Sequence, residues 1–163
     1  EVVGLAAGND RVSAFIESAR QYSWQAAKAG QNPPHTVAEW EQVEKLWESA
    51  IAQLQKINSD DLVGYRQAQT LLAQYNSNLG QVKIRQQAEQ DSQAAIQRAQ
   101  RKIEILLAAT PTTANSFNRN QTISELQGII NELGKVQNGT TAYLKSQELL
   151  LSAKNKLNQL QPR

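Results

Sequence analysis

The residues in this chain that could carry out chemistry are few and far apart. His35 is the single histidine, and it stands in a loop between Pro33-Pro34 and Thr36. A catalytic triad needs a histidine beside a nucleophile and a carboxylate, and zinc or copper needs several imidazole or thiolate ligands. One loop imidazole with scattered carboxylates meets neither requirement. We therefore expect no catalytic residue and no metal site.

The carboxylates are better suited to capping helices than to acid–base catalysis. Asp60 and Asp61 are adjacent and, like Asp10, stand where a helical pattern begins. Adjacent acids can serve in catalysis when burial raises the pKa of one of them. At a helix start, however, a side-chain oxygen usually accepts a hydrogen bond from a free backbone amide. The eight glycines are scattered and form no phosphate-binding loop, so we expect no cofactor and no enzymatic activity.

The three tryptophans offer a different kind of chemistry, because flat rings make good contact surfaces for a peptide or a sugar. Trp40 and Trp47 fall in an apolar stripe and are predicted to be buried. Trp24 falls beside the apolar stripe of its helix and is the candidate for exposure. We predict that the partner-binding residues are Trp24, His35 in the proline loop, and Arg85 in the polar middle of a long helix.

Composition excludes several functional classes. The formal net charge is +2, and acids interrupt the loose basic run of the long helix, so nucleic-acid binding is not expected. The chain has no cysteine, which excludes disulfides and thiolate chemistry. It has no run of roughly 18 apolar residues that would span a membrane. Because it also has no methionine, we expect a processed or trimmed piece that begins at Glu1, and the sequence leaves open whether a signal peptide or membrane anchor was removed upstream.

Five helices are predicted from apolar residues that recur with three-and-four spacing. The predicted ranges are about 9–29, 36–57, 62–109, 117–136 and 143–160, the fourth beginning near residue 117 or 122. Thr36 with Glu39, and Thr122 with Glu125, match the capping-box pattern. The middle of the third helix, 81–93, is polar and is expected to be a solvated bridge or a joint near Gly80.

The second half of the chain is similar to the first. Residues 65–79 align without a gap on residues 143–157, and identical residues occur at Tyr65/Tyr143, Gln69/Gln147, Leu71/Leu149, Leu72/Leu150 and Leu79/Leu157. A repeat of this kind predicts a duplicated helical unit. We predict an all-α, antiparallel helical bundle of two three-helix units, 1–82 and 83–163, that share the long helix of about 62–109. A more open array of helical hairpins is the alternative.

Two tandem stretches resemble a known group of proteins. Residues 47–54 followed by 65–79, and 139–143 followed by 147–150, are similar to helical repeats of cyanobacterial envelope-associated proteins of unassigned function. The shared patterns are A-W-x-x-A-I-x-x-L-like and Y-x-x-A-Q-x-L-L-like, and the resemblance covers most of 39–160. It implies a cyanobacterial source, a membrane-anchored parent chain and a location in the periplasm or cell envelope. It transfers no catalytic residue.

The function expected from these features is a non-enzymatic scaffold or protein-interaction module whose partner is another protein. One alternative is a spacer or stalk of a membrane-anchored protein, and another is the regulatory part of a larger enzyme. Long amphipathic helices can also pair between chains, so a homo-oligomer is a further possibility.

Overall fold

The computed structural model describes residues 2–109 and 118–161, with the backbone alone for 2–7. Within these ranges the chain forms α1 (Val2–Ala29), α2 (Val37–Leu54), α3 (Leu62–Ala108), α4 (Arg119–Leu133) and α5 (Tyr143–Leu160), and it has no strand. The all-α prediction is confirmed. No helix in the described ranges is both long enough and apolar enough to cross a membrane.

The first helix differs from its prediction at its N-terminal end. It begins at Val2 rather than near Asn9, so Asn9 and Asp10 lie inside α1 and do not cap it. The physical reason is that alanine and leucine, which precede Asn9 in the sequence, have high helix propensity and extend the helix.

The chain forms a tight turn after the end of α2, in which the amide of Ile57 donates to the carbonyl of Leu54 at 3.1 Å. This turn keeps Ile57 buried in the core although α2 has ended.

Side-chain caps start two of the helices where the sequence predicts them. The amide of Glu39 donates to Thr36 Oγ1 at 3.2 Å, and Glu39 Oε2 accepts from the amide of Thr36 at 2.7 Å. The predicted capping box of α2 is therefore confirmed. Asp61 Oδ1 accepts from the amide of Gly64 at 3.1 Å, which confirms a capping role for this carboxylate at the start of α3.

The predicted capping box at Thr122 and Glu125 is wrong. The N-cap of α4 is Asn118, whose Oδ1 accepts from the amide of Gln121 at 3.1 Å. Thr122 lies within the first turn of the helix, and its hydroxyl donates to the carbonyl of Asn118 at 3.0 Å. Asparagine is as good a capping residue as threonine, and its position upstream of Thr122 starts the helix earlier.

The chain divides into two compact units, Glu1–Gln86 (unit 1) and Gln87–Arg163 (unit 2). The division lies between 86 and 87 rather than between 82 and 83, the boundary predicted from the sequence. Residues of α3 belong to both units, and α3 is helical through Gly80. Because the helix continues through it, Gly80 marks no joint in α3. A Cβ added at this position would meet nothing within 4 Å.

Each unit has its own apolar core built from the predicted stripes. The core of unit 1 contains Ile16, Ala19, Ala26, Trp40, Val43, Trp47, Ala50, Ile51, Leu54, Ile57, Ala68, Tyr75 and Val82. The core of unit 2 contains Ala95, Ile96, Ala99, Leu126, Ile129, Leu133, Val136, Ala142 and Ala153. The buried residues of α4 are Leu126, Ile129 and Leu133. The stripe predicted from the sequence runs through Ile123, Leu126, Ile130 and Leu133, and of these Ile130 is only partly buried because Ile129 takes the core position.

Candidate functional site

A groove on unit 1 is lined by one of the predicted partner-binding residues, Arg85, together with residues of the unit 1 core. Its lining comes from all three helical segments of the unit, and it forms a shallow, open depression with a volume of about 350 Å³. The apolar lining consists of Ala26, Ala27, Gly30, Trp40, Val43, Trp47 and Val82, and the polar lining consists of Asn78, Gln81 and Arg85. We call this the unit 1 groove.

Trp40 brings two of the predicted residues together. Its ring is buried, with 3% of the residue exposed. The His35 ring meets it edge-on, with the ring centroids 4.8 Å apart. The guanidinium carbon of Arg85 lies 5.7 Å from the Trp40 ring centroid, within the range of a cation–π contact. His35 and Arg85, 50 positions apart in sequence, thus contact the same indole.

His35 is held in place by its own loop. Its Nε2 is 2.8 Å from the carbonyl oxygen of Gln31, and its Nδ1 is 3.7 Å from Glu39 Oε2. The hydrogen bonds that Glu39 receives from the amide and hydroxyl of Thr36 lower the pKa of this carboxyl, and His35 contributes less to that shift. With both ring nitrogens near protein partners, His35 is placed to support Trp40 rather than to face an incoming molecule.

Trp24 lies on the exposed side of α1, with 64% of the residue accessible. The Lys28 ammonium sits over its ring, 5.0 Å from the centroid. Residues three apart in a helix share a face, so Trp24 is one turn away from Ala27, which lines the unit 1 groove. Trp24 does not itself line the groove, but it lies on α1 one turn from a residue that does.

The charge around the unit 1 groove is positive. Within the described residues, neither Lys28 nor Arg85 takes part in an ion pair. The nearby acids are already engaged, since Glu39 belongs to the capping box and Glu44 pairs with Lys83 at 3.6 Å. Two cations stacked on indoles thus remain available to an anionic group of a partner.

Unit 2 contains a buried polar cluster that the sequence analysis missed. Glu89, with 1% of the residue exposed, accepts hydrogen bonds from the amide of Thr141 at 3.0 Å, from its hydroxyl, and from Gln93 Nε2 at 3.3 Å. Ser92 Oγ accepts from the amide of Gln137 at 3.0 Å. Residues of α3 therefore satisfy the backbone amides of the connection between α4 and α5.

This cluster corrects the expectation that 81–93 is a solvated bridge. Ser92 continues the buried face of α3 that Ala95 and Ala99 form, and Glu89 lies three residues before Ser92. The spacing therefore places both polar side chains on the core face of α3. The spacing in the sequence could have predicted that Glu89 is buried, but glutamate is rarely a core residue and was therefore not assigned to the buried face. Gly139 between the bonded amides has φ of 84°, a left-handed conformation that suits the glycine of the Asn138-Gly139 pair in this turn.

The basic run of α3 is partly neutralised inside unit 2. Glu132 Oε2 lies 3.0 Å from Arg98 Nε, and Glu132 Oε1 lies 3.2 Å from Lys135 Nζ and 4.0 Å from Lys102 Nζ. The hydrogen bond from Arg98 is the main cause that lowers the pKa of this carboxyl, and Lys135 adds to it. This arrangement ties α3 to the C-terminal end of α4.

The described residues show no group of three or more histidine, cysteine, aspartate or glutamate side chains placed to hold a metal ion. Comparisons with known proteins add no assignment. No protein-family model matches the chain, and searches of curated proteins and of solved structures find no significant match.

Proposed function

We propose that this chain is a non-enzymatic protein-interaction module that holds a partner protein at the unit 1 groove and the adjoining Trp24. The observation that carries the proposal is the pair of indole–cation contacts, Trp24 with Lys28 and Trp40 with Arg85, beside an apolar groove. Tryptophan and arginine are the residue types that most often dominate the binding energy of protein interfaces. Trp24 is exposed and lies outside the unit 1 core, so its ring is accessible to a partner.

The groove suits a segment of a protein partner rather than a small substrate. Its apolar base can take aliphatic or aromatic side chains, and Asn78 and Gln81 can bond to a partner's backbone or polar groups. The free positive charges of Lys28 and Arg85 favour acidic residues on that segment, because complementary charge steers association. The resemblance to envelope-associated repeats supports a location in the cyanobacterial cell envelope as part of this proposal.

A spacer function is the second candidate, and one observation favours it. A single helix, α3, supplies side chains to two separate cores. A helix shared in this way links successive units without a flexible connection, as a spacer requires. A spacer needs no partner at the unit 1 groove, so the two functions make different predictions for variants of that groove.

The test is capture of partners from a cyanobacterial envelope extract by the full chain. The Trp24→Ala/Arg85→Ala double variant removes both contact residues without opening the core. Arg66→Ala is the matched control, since Arg66 is an exposed arginine of α3 that does not line the groove. We expect one discrete protein to bind the parent chain and the control and to be lost from the double variant.

A photo-crosslinking residue locates the contact independently. Position 27 lines the groove, whereas position 42 is exposed on α2 and does not. The captured protein should crosslink from 27 and not from 42. Retention of the partner by the double variant would refute the groove as the surface, and absence of any partner for all variants would favour the spacer.

A further inference from the structure

The connection between α4 and α5 contains the only asparagine–glycine pair of the chain, Asn138-Gly139. Both residues are exposed, and a Cβ added at Gly139 would meet nothing within 4 Å. An asparagine side chain reacts most readily with the backbone when glycine follows it, because glycine has no side chain to hinder the approach and leaves the backbone free to rotate. The sequence and the exposure of this pair therefore both suit such a reaction.

The amide of Gly139 has no competing acceptor. In the part of the chain that the structure describes, this amide donates no hydrogen bond. The amides on either side are engaged, since that of Gln137 donates to Ser92 Oγ and that of Thr141 donates to Glu89 Oε2, each at 3.0 Å. Both acceptors belong to α3, so the two ends of the turn are held on that helix while the nitrogen at its tip is free to react.

The reaction that this nitrogen can undergo requires only water. The Gly139 nitrogen forms a bond to Cγ of Asn138 and gives up its proton, while the bond from Cγ to the side-chain nitrogen breaks and that nitrogen leaves as ammonia. The product is a cyclic succinimide, which water opens at either carbonyl. Cleavage of the bond to Cγ gives aspartate, and cleavage of the bond to the main-chain carbonyl carbon gives isoaspartate.

We infer that Asn138 is a site of spontaneous deamidation, at which unit 2 acquires a carboxylate in the connection between α4 and α5. Isoaspartate also lengthens the main chain by one methylene between Gln137 and Thr141, whose amides are held on α3. The longer backbone displaces at least one of these hydrogen bonds, so deamidation lowers the stability of unit 2. The site uses no residue of unit 1 and stands independently of a protein partner there.

The experiment follows deamidation of the folded full chain during incubation in warm, mildly alkaline buffer. Trypsin releases the peptide 136–145, whose single asparagine is Asn138, and the peptide 57–66, whose single asparagine is Asn58. Asn58 is the internal control, because it is exposed in the connection between α2 and α3 but is followed by serine. We expect the mass gain of an amide replaced by a hydroxyl to appear several-fold sooner in 136–145, together with methyl labelling by an isoaspartyl methyltransferase.

Two results would overturn the site. One is an equal rate of mass gain in the two peptides. The other is a folded chain that gains no mass at Asn138 under conditions where the urea-unfolded chain does, which would show that the turn protects the side chain.

Variants at position 138 test the effect on stability. Asn138→Gln should lose the mass gain and the methyl label, because its longer side chain closes a ring much more slowly. Asn138→Ser has no amide and also suits a turn, so it should behave in the same way. Circular dichroism verifies that both variants fold.

After equal incubation, the parent chain should show a lower urea midpoint than before, whereas both variants keep theirs. Fresh Asn138→Asp should unfold close to the fresh parent, because it adds the charge without lengthening the backbone. An equal loss of midpoint in the incubated parent and the incubated variants would refute the link between deamidation and the stability of unit 2.

Discussion

Replacing Glu89 tests whether the buried polar cluster stabilises unit 2 by accepting hydrogen bonds from the connection between α4 and α5. Its carboxylate is buried and accepts two hydrogen bonds from Thr141, one from the amide and one from the hydroxyl. The N-cap residue of α5 is Ala142, which has no side chain able to cap the helix. Glu89 therefore supplies, from another helix, an acceptor that the local sequence lacks.

The expected loss of stability follows from these contacts. A buried amide left without a partner costs about 1–3 kcal/mol, and loss of a helix cap costs about 0.5–2 kcal/mol. The Thr141 hydroxyl is exposed and can bond to water, so it adds little. We expect Glu89→Ala to lower the free energy of unfolding by about 2–3 kcal/mol. Glu89→Gln keeps one acceptor and should cost about 1–2 kcal/mol.

The assay is urea unfolding of the full chain, followed by circular dichroism and by tryptophan fluorescence. All three tryptophans lie in unit 1, so fluorescence reports that unit and circular dichroism reports both. The control is Gln90→Ala, an exposed neighbour on the same helix, which should change stability by less than about 0.5 kcal/mol. Glu89→Gln and Thr141→Val should also be coupled by about 1 kcal/mol in a double-mutant cycle. A change below about 0.5 kcal/mol for Glu89→Ala would refute the reasoning.

Four further predictions address other parts of the fold. Gly80→Ala should stabilise the chain by about 0.5–1 kcal/mol in thermal or urea unfolding, because the position is helical and open. Gly64→Ala should destabilise it by about 1–3 kcal/mol, because the new Cβ would overlap Val12 Cγ1 and lie 2.8 Å from Asp61 Oδ2; equal effects at both glycines would contradict this. Trp40→Ala should cost about 3–5 kcal/mol in urea unfolding because the ring is buried, whereas exposed Trp24→Ala should cost less than about 0.5 kcal/mol. The folded-state pKa of Glu132 is lowered, so its stabilising contribution is present above the unfolded pKa of about 4.3 and lost as the pH falls through the lower folded value. Urea unfolding against pH should show the difference between the parent chain and Glu132→Gln shrinking on acidification; a difference constant with pH would argue against the lowered pKa.

The helices and their buried faces could be predicted from sequence because both depend on local spacing. Apolar residues three and four apart define the stripe of α2, and Trp40 and Trp47 are buried as that stripe predicts. The capping box of Thr36 and Glu39 also joins residues three positions apart, so its whole geometry is present in a short stretch of sequence. Trp24 is exposed because it falls outside the stripe of its helix.

The helix ends were predicted less well because competing signals lie close together. Asn118 and Thr122 both suit an N-cap, and the structure uses Asn118. Local preference cannot rank them when the energy difference between capping residues is a few tenths of a kcal/mol. At α1, the capping residue Asn9 is bypassed, because a helix continues through a capping residue when the residues before it also favour helix.

By itself, the sequence determined that this chain is all-helical and approximately where its helices and their buried faces lie, because those properties depend on residues one or two turns apart. The tertiary structure alone decided which distant polar groups meet. Glu89 accepts a hydrogen bond from Thr141, 52 positions away, and Arg85 on α3 contacts Trp40 on α2. Such contacts depend on how helices pack against one another, and helical periodicity records which face is buried but not which residue lies opposite it.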